Sequence, residues 1–160
     1  MKGNDSVIAK LNAILADELT AINQYMLHAE MCDNWGYERL HKAIEKRAIT
    51  EMRHAEKLIA RILFLEGMPI VSNLNKLNIG SQVEDQHTND WLAEEIAIKN
   101  YNEGIKLATE AGDAGTMELL KENLKEEEAH IDWIEAQLEQ IKQMGIQNYL
   151  QEQTLVSKEG

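Results

Sequence analysis

The sequence predicts an all-α chain: a four-helix bundle with one long crossover and a short fifth helix. Three observations predict it. Ala, Leu, Ile, Glu, Lys and Gln supply most of the 160 residues and Pro occurs once, a composition that suits helix throughout. Apolar residues recur at intervals of three and four over four long stretches, the period of a helix with one buried stripe. The gaps between these stretches are unequal: two span a few residues and one spans about 13.

The first helix is predicted over 6–33, opening at Asp5 or Ser6. Its stripe is Val7, Leu11, Ile14, Leu15, Ile22, Tyr25, Met26 and Ala29. Trp35-Gly36 marks a tight turn. The second helix is predicted over 37–66, with Leu40, Ile44, Ala48, Ala55, Leu58, Ile62 and Leu65 in phase. Gly67 is its expected C-terminal cap, and Pro69 forbids continuation. Residues 67–81 form the crossover. The third helix, over 82–111, is expected to open at a capping box of Ser81 and Glu84. The fourth, over 114–144, takes Asp113 as its cap and breaks at Gly145. A short fifth helix is expected over 146–154, and no structure is assigned to residues 156–160.

Loop length sets the topology. Two short turns make two antiparallel hairpins. A helix of ~28 residues is ~42 Å long. An extended crossover of ~13 residues reaches about as far, so it can return the chain along the bundle and leave helices two and three parallel. At 160 residues the chain is one domain, 1–160, with a core of its own.

Composition also excludes functions. The net charge of −12 disfavours nucleic acid and anionic lipid, which need a basic patch. No apolar run approaches the ~18 residues of a membrane span, and the N-terminus lacks a signal-peptide pattern. One cysteine, Cys32, cannot form an internal disulfide. A cytoplasmic location is the expectation.

One spacing occurs twice. Glu18 is followed 33 residues later by Glu51 and then His54; Glu94 is followed 33 residues later by Glu127 and then His130. The copies are offset by 76 residues, as are Tyr25 and Tyr101. All four glutamates lie in phase with apolar stripes: Glu18 with Leu11 and Ile22, Glu51 with Ile44 and Leu58, Glu94 with Ile98 and Tyr101, Glu127 with Leu120 and Ile134. Each pair is nearly equidistant from its hairpin turn, so the carboxylates meet at mid-bundle. Four buried carboxylates are untenable unless neutralised, and two divalent cations would do so. A Glu from each of two helices plus Glu-x-x-His from the other two is the ligand set of dinuclear carboxylate bundles. Tyr25 and Tyr101 are candidates to hydrogen-bond the ligand carboxylates.

The Glu-x-x-His motif alone is unspecific here. Glu38/His41 and Glu84/His87 match it too. Glu38 is 13 residues before Glu51, which turns it ~140° round the helix. His87 is in phase with Glu94 but two turns away. His28 is expected on the surface or between subunits.

Several segments resemble bacterioferritin over nearly the whole chain: MKGN at the start, DELTAINQYMLHAEM around Glu18, TEMRHAEKLIARILFLEG around Glu51, KLNIG before the third helix, and EEEAHIDWIEAQLEQIKQMGIQNYLQ near the end. The resemblance implies a ferritin-like fold and a hollow shell of twenty-four subunits built from two-fold dimers. It implies oxidation of Fe(II) by O₂ or H₂O₂ at a di-iron centre, with two irons per subunit and the ferric product stored inside. By it, Glu51 and Glu127 bridge the irons, Glu18 and Glu94 are terminal ligands, and His54 and His130 each bind one iron. It also implies a b-type or related haem, one per subunit pair, held by Met52 from each subunit. Leu19, Asn23, Met26, Ile49, Ala55 and Ile59 would line the haem pocket. A ferredoxin-type reductase is the implied partner.

The chain departs from the family at EKRAIT before Glu51. Lys46 and Thr50 are poor ligands, which argues against an accessory iron site on the inner wall, and Glu45 and Arg47 alter the expected haem surroundings. A rubrerythrin-like peroxidase would need paired CxxC motifs, which one cysteine excludes. The remaining alternative is a haem and di-metal redox shell whose metal site is mainly structural.

Overall fold

Asn4 opens the first helix. Its side chain accepts from the backbone N–H groups of Ser6 and Val7 at 2.9 and 3.2 Å, satisfying two of the donors that a helix start leaves bare. The computed structural model describes residues 1–155; the expectation for residues 156–160 lies outside them. The elements are α1 (Asp5–Asn34), α2 (Glu38–Phe64), α3 (Val83–Glu110), α4 (Ala114–Met144) and α5 (Ile146–Gln153).

Three helices end alike. The N–H two residues past the C-cap bonds back to a carbonyl five residues earlier: Tyr37 to Cys32, Gly67 to Ile62 and Asp113 to Ala108. The residue between must take positive φ. Gly36 (82°) and Gly112 (70°) supply it after α1 and α3. After α2 it is Glu66, at 62°, and not the expected Gly67. Gly67 is needed for space instead, because a Cβ there would lie 2.7 Å from Ile8 Cγ2. The Ser81/Glu84 capping box does not form. α3 begins at Val83 with Gln82 as N-cap and no side-chain bond. Asp113 caps α4 as expected, accepting from the Thr116 N–H at 3.0 Å.

Contacts fix the helix directions. Gly3 bonds to Leu65, at opposite ends of α1 and α2. Lys10 meets Glu103, and Cys32 meets Gln86, so α1 and α3 are antiparallel. Arg61 meets Asp113 and Arg47 meets Glu126, so α2 and α4 are antiparallel. α2 and α3 are therefore parallel, as the long crossover requires.

The crossover is laced to α1. Asn12 binds the backbone of Met68 and Ile70, Thr20 that of Asn75, Gln24 that of Asn78, and His28 that of Gly80. Asn12, Thr20, Gln24 and His28 fall at multiples of four, so they form one polar stripe up α1. His28 is consequently buried, not on the surface. Its Nε2 accepts from the Gly80 N–H at 3.0 Å, which places the ring proton on Nδ1 to donate to Asp90 Oδ1 at 2.9 Å.

The apolar core is in two parts. One gathers Leu11, Ile14, Leu15, Leu58, Ile62 and Leu120. The other gathers Ala29, Cys32, Leu40, Ile44, Ile141 and Tyr149. Between them lies a buried layer of carboxylates and imidazoles.

Candidate metal centre

Helix phase brings the six predicted side chains together. Glu18 comes from α1, Glu51 and His54 from α2, Glu94 from α3, and Glu127 and His130 from α4. None is more than 4% exposed. Their ligand atoms form two groups, each spanning less than 4.8 Å: Glu18, Glu51, His54 and Glu127 in one, and Glu51, Glu94 and His130 in the other. Glu51 belongs to both.

His54 Nδ1 faces three carboxylates, with Glu127 Oε1 at 3.0 Å, Glu51 Oε2 at 3.2 Å and Glu18 Oε2 at 3.5 Å. His130 Nδ1 lies 2.7 Å from Glu94 Oε1. Both imidazoles thus present Nδ1 to the cluster. One oxygen of each carboxylate (Glu18 Oε2, Glu51 Oε1, Glu94 Oε2 and Glu127 Oε2) is buried without a hydrogen-bond partner. Such atoms are costly in a protein interior.

Electrostatics show the strain of this crowd. Burial, then the neighbouring Glu51, pushes the Glu18 carboxyl well up. Burial, then Glu18 and Glu51, does the same to Glu127. Burial would also raise Glu51, but its interactions with the neighbouring Glu18, His54 and Glu127 outweigh it and lower the group. His54 would be lowered by burial, yet its bonds to Glu127 and Glu51 raise it to about 10. Burial and mutual repulsion thus favour the protonated form of Glu18 and Glu127, while the facing carboxylates favour the charged form of His54.

The two tyrosines cross over. Tyr25 on α1 donates to Glu94 on α3, and Tyr101 on α3 donates to Glu18 on α1 at 2.9 Å. Burial and the facing carboxylates raise both phenols, so both remain donors. Asn123 Nδ2 donates to the Tyr101 oxygen at 3.2 Å.

The family model for the ferritin-like domain matches residues 8–144. Bacterioferritin of Brucella melitensis biotype 1 is 40% identical over 149 residues, which is 93% of this chain and 92% of that protein. The chain belongs to the bacterioferritin family. Bacterioferritins of Mycolicibacterium paratuberculosis and Rhodobacter capsulatus are 39% and 38% identical, each over 93% of this chain and over 94% and 92% of their own lengths.

Two features of this bacterioferritin-family site were not predicted. Arg47 lies at the centre: its Nη2 is 3.5 Å from Glu51 Oε1 and donates to the Glu126 carbonyl at 3.2 Å. It is four residues before Glu51, so phase alone could have placed it here. Glu126 Oε1 lies 3.5 Å from His54 Nε2, behind the ring. No periodicity signals that contact, because it depends on how α2 and α4 pack.

His87 is buried against Trp133 and Tyr149, with Nε2 3.0 Å from the Tyr149 hydroxyl. It is not in either ligand group. Met52 is half exposed on an apolar groove of about 390 Å³ lined by Ile22, Met26, Ala29, Glu30, Glu45, Ala48, Ile49 and Met52. Ala55 is buried in the core, because it sits four residues from Glu51 on the same face. Leu19 and Ile59 pack against that core, and Asn23 is not in the groove wall.

Among the described residues, no helix is long and apolar enough to cross a membrane.

Proposed function

We propose that the chain stores iron and acts as a ferroxidase. It oxidises Fe(II) at a dinuclear centre held by Glu18, Glu51, His54, Glu94, Glu127 and His130. The observation that carries this reading is the set of four buried carboxylates, one per helix, each with an oxygen that lacks a hydrogen-bond partner. Carboxylate and imidazole ligands suit iron in both oxidation states. Glu51, common to both groups of ligand atoms, supports its role as a shared ligand, and Glu127 would be the second.

Two Fe(II) give one electron each. O₂ takes both with two protons to become H₂O₂, or H₂O₂ takes both with two protons to become two waters. The chain's residues prepare this step. The four carboxylates neutralise two divalent cations. Tyr25 and Tyr101 fix the Glu94 and Glu18 carboxylates by hydrogen bonds, and the apolar layers on either side keep bulk water out. Any proton held on Glu18, Glu127 or His54 must leave as cations enter.

The reading extends to the assembly: a cytoplasmic shell of twenty-four copies built from two-fold dimers, with the ferric product inside. Met52 from each of two chains would hold one b-type haem per pair, which supplies one-electron redox chemistry when bound. The half-exposed thioether on an open apolar groove supports that fit, since only a soft sulfur donor beside apolar walls is required of each chain. A ferredoxin-type reductase is the partner proposed for iron release.

Fe(II) added under air should give a ferric core far beyond two irons per subunit. A core limited to two irons would favour a structural metal site and overturn storage. Glu127→Ala should abolish rapid oxidation and leave the shell assembled; unchanged kinetics would refute the ligand set. Met52→Leu should remove the haem Soret band and leave oxidation of added Fe(II) largely intact.

A further inference from the structure

A second group of possible ligands lies outside the buried centre. Glu30 near the end of α1 and His41 and Glu45, one turn apart near the start of α2, bring one ligand atom each to within 4.8 Å of one another. Glu45 is six residues before Glu51, so it is ~9 Å away along α2 and ~120° round it. The buried centre does not use these residues.

The imidazole is oriented as a metal-binding histidine is. Its Nδ1 lies 3.0 Å from the Ala29 carbonyl oxygen. A carbonyl only accepts, so Nδ1 carries a proton, and in the neutral ring the lone pair is on Nε2. A backbone carbonyl locking the far nitrogen is the usual support of a ligating histidine. Nε2 faces Glu45 Oε2 at 3.6 Å. That is too long for a hydrogen bond. It is close to the ~3.4 Å edge of a tetrahedron with bonds of ~2.0–2.1 Å. The carboxylate of Glu30 completes three ligands from two helices, and two carboxylates balance a divalent charge. Lys42, the neighbouring cation, pairs with Glu38 at 3.6 Å and not with this group.

We propose that Glu30, His41 and Glu45 form a separate site for a borderline divalent transition ion such as Zn²⁺, with water as the fourth ligand. Such an ion ties α1 to α2 near their shared turn. Because Glu30 and Glu45 also line the groove beside Met52, it fixes one rim of that groove.

The test is Zn²⁺ titration of the intact protein by calorimetry, together with diffraction data at the zinc edge. His41→Ala and Glu45→Gln are compared with the unmodified chain. Both changes are on a partly exposed helix face, and Glu45→Gln keeps the side chain's shape. The unmodified chain should bind one more Zn²⁺ per subunit than either variant and show an anomalous peak between the three side chains. Ions at the buried centre should be the same in all three proteins, so the two sites are read separately. Equal stoichiometry in His41→Ala, or no anomalous peak at the cluster, would overturn the proposal and leave His41 and Glu45 as an ordinary ion pair.

Discussion

Tyr101→Phe isolates what a single hydroxyl does for the centre. Phenylalanine keeps the ring and its packing. The oxygen that is lost donates to Glu18 Oε1 at 2.9 Å and accepts from Asn123 Nδ2 at 3.2 Å. Without metal, burial favours the neutral form of Glu18, and hydrogen bonds between neutral groups each contribute ~1 kcal/mol. The metal-free protein should lose about 2 kcal/mol, which for a chain of this length lowers Tm by about 4–8 °C. With metal bound, Glu18 is a carboxylate, and a bond to a charged group contributes ~1.5–3 kcal/mol. The metal-bound state therefore loses roughly 0.5–2 kcal/mol more than the metal-free state, and affinity should fall by about two- to thirtyfold. Co²⁺ absorption reads affinity without turnover, and thermal unfolding of the metal-free protein reads the other arm. Co²⁺ affinity within twofold of the unmodified chain would refute the argument that Tyr101 positions Glu18.

Other perturbations probe the same electrostatics. Arg47→Met removes a cation 3.5 Å from Glu51; Co²⁺ should bind about tenfold more tightly while the metal-free protein becomes less stable, and weaker binding would be contrary to the repulsion invoked. Metal uptake should release protons, because the metal-free fold raises Glu18, Glu127 and His54, so affinity should rise with pH. Buffer-dependent calorimetry measures the number released, and no proton release would contradict that reasoning. Burial, then His28 and His130, lowers His87 to about 4, so the folded chain binds fewer protons than the unfolded one below pH 6.5. Stability is intact above that value and is lost by up to ~3 kcal/mol as pH falls to about 4. His87→Gln should flatten this part of the curve for the metal-free protein, and an unchanged slope would show that His87 is not its source.

How much was legible in the sequence depended on whether a feature follows from one helix or from two. The helices, their order and the parallel arrangement of α2 and α3 follow from a period and three gap lengths. So does the convergence of Glu18, Glu51, Glu94 and Glu127, because phase sets the face and distance from the turn sets the depth. The tyrosines were placed at the right level, yet which carboxylate each would touch was open. A phenol two turns from its own glutamate reaches the facing helix instead, so Tyr25 meets Glu94 and Tyr101 meets Glu18.

Helix ends and partners across helices needed the fold. Glu66 takes the positive φ while Gly67 makes room for Ile8, a choice made by packing between α1 and the end of α2. His28 is polar at an outward-looking position until the crossover lies over it and its Nε2 meets Gly80. Arg47 and Glu126 reach the centre only because α2 and α4 are antiparallel at matched height. The sequence alone therefore determined which side chains face inward and at what depth, since both are properties of a regular helix. Tertiary structure decided who pairs with whom, since hydrogen-bond partners depend on ångström-scale offsets between helices that no period encodes.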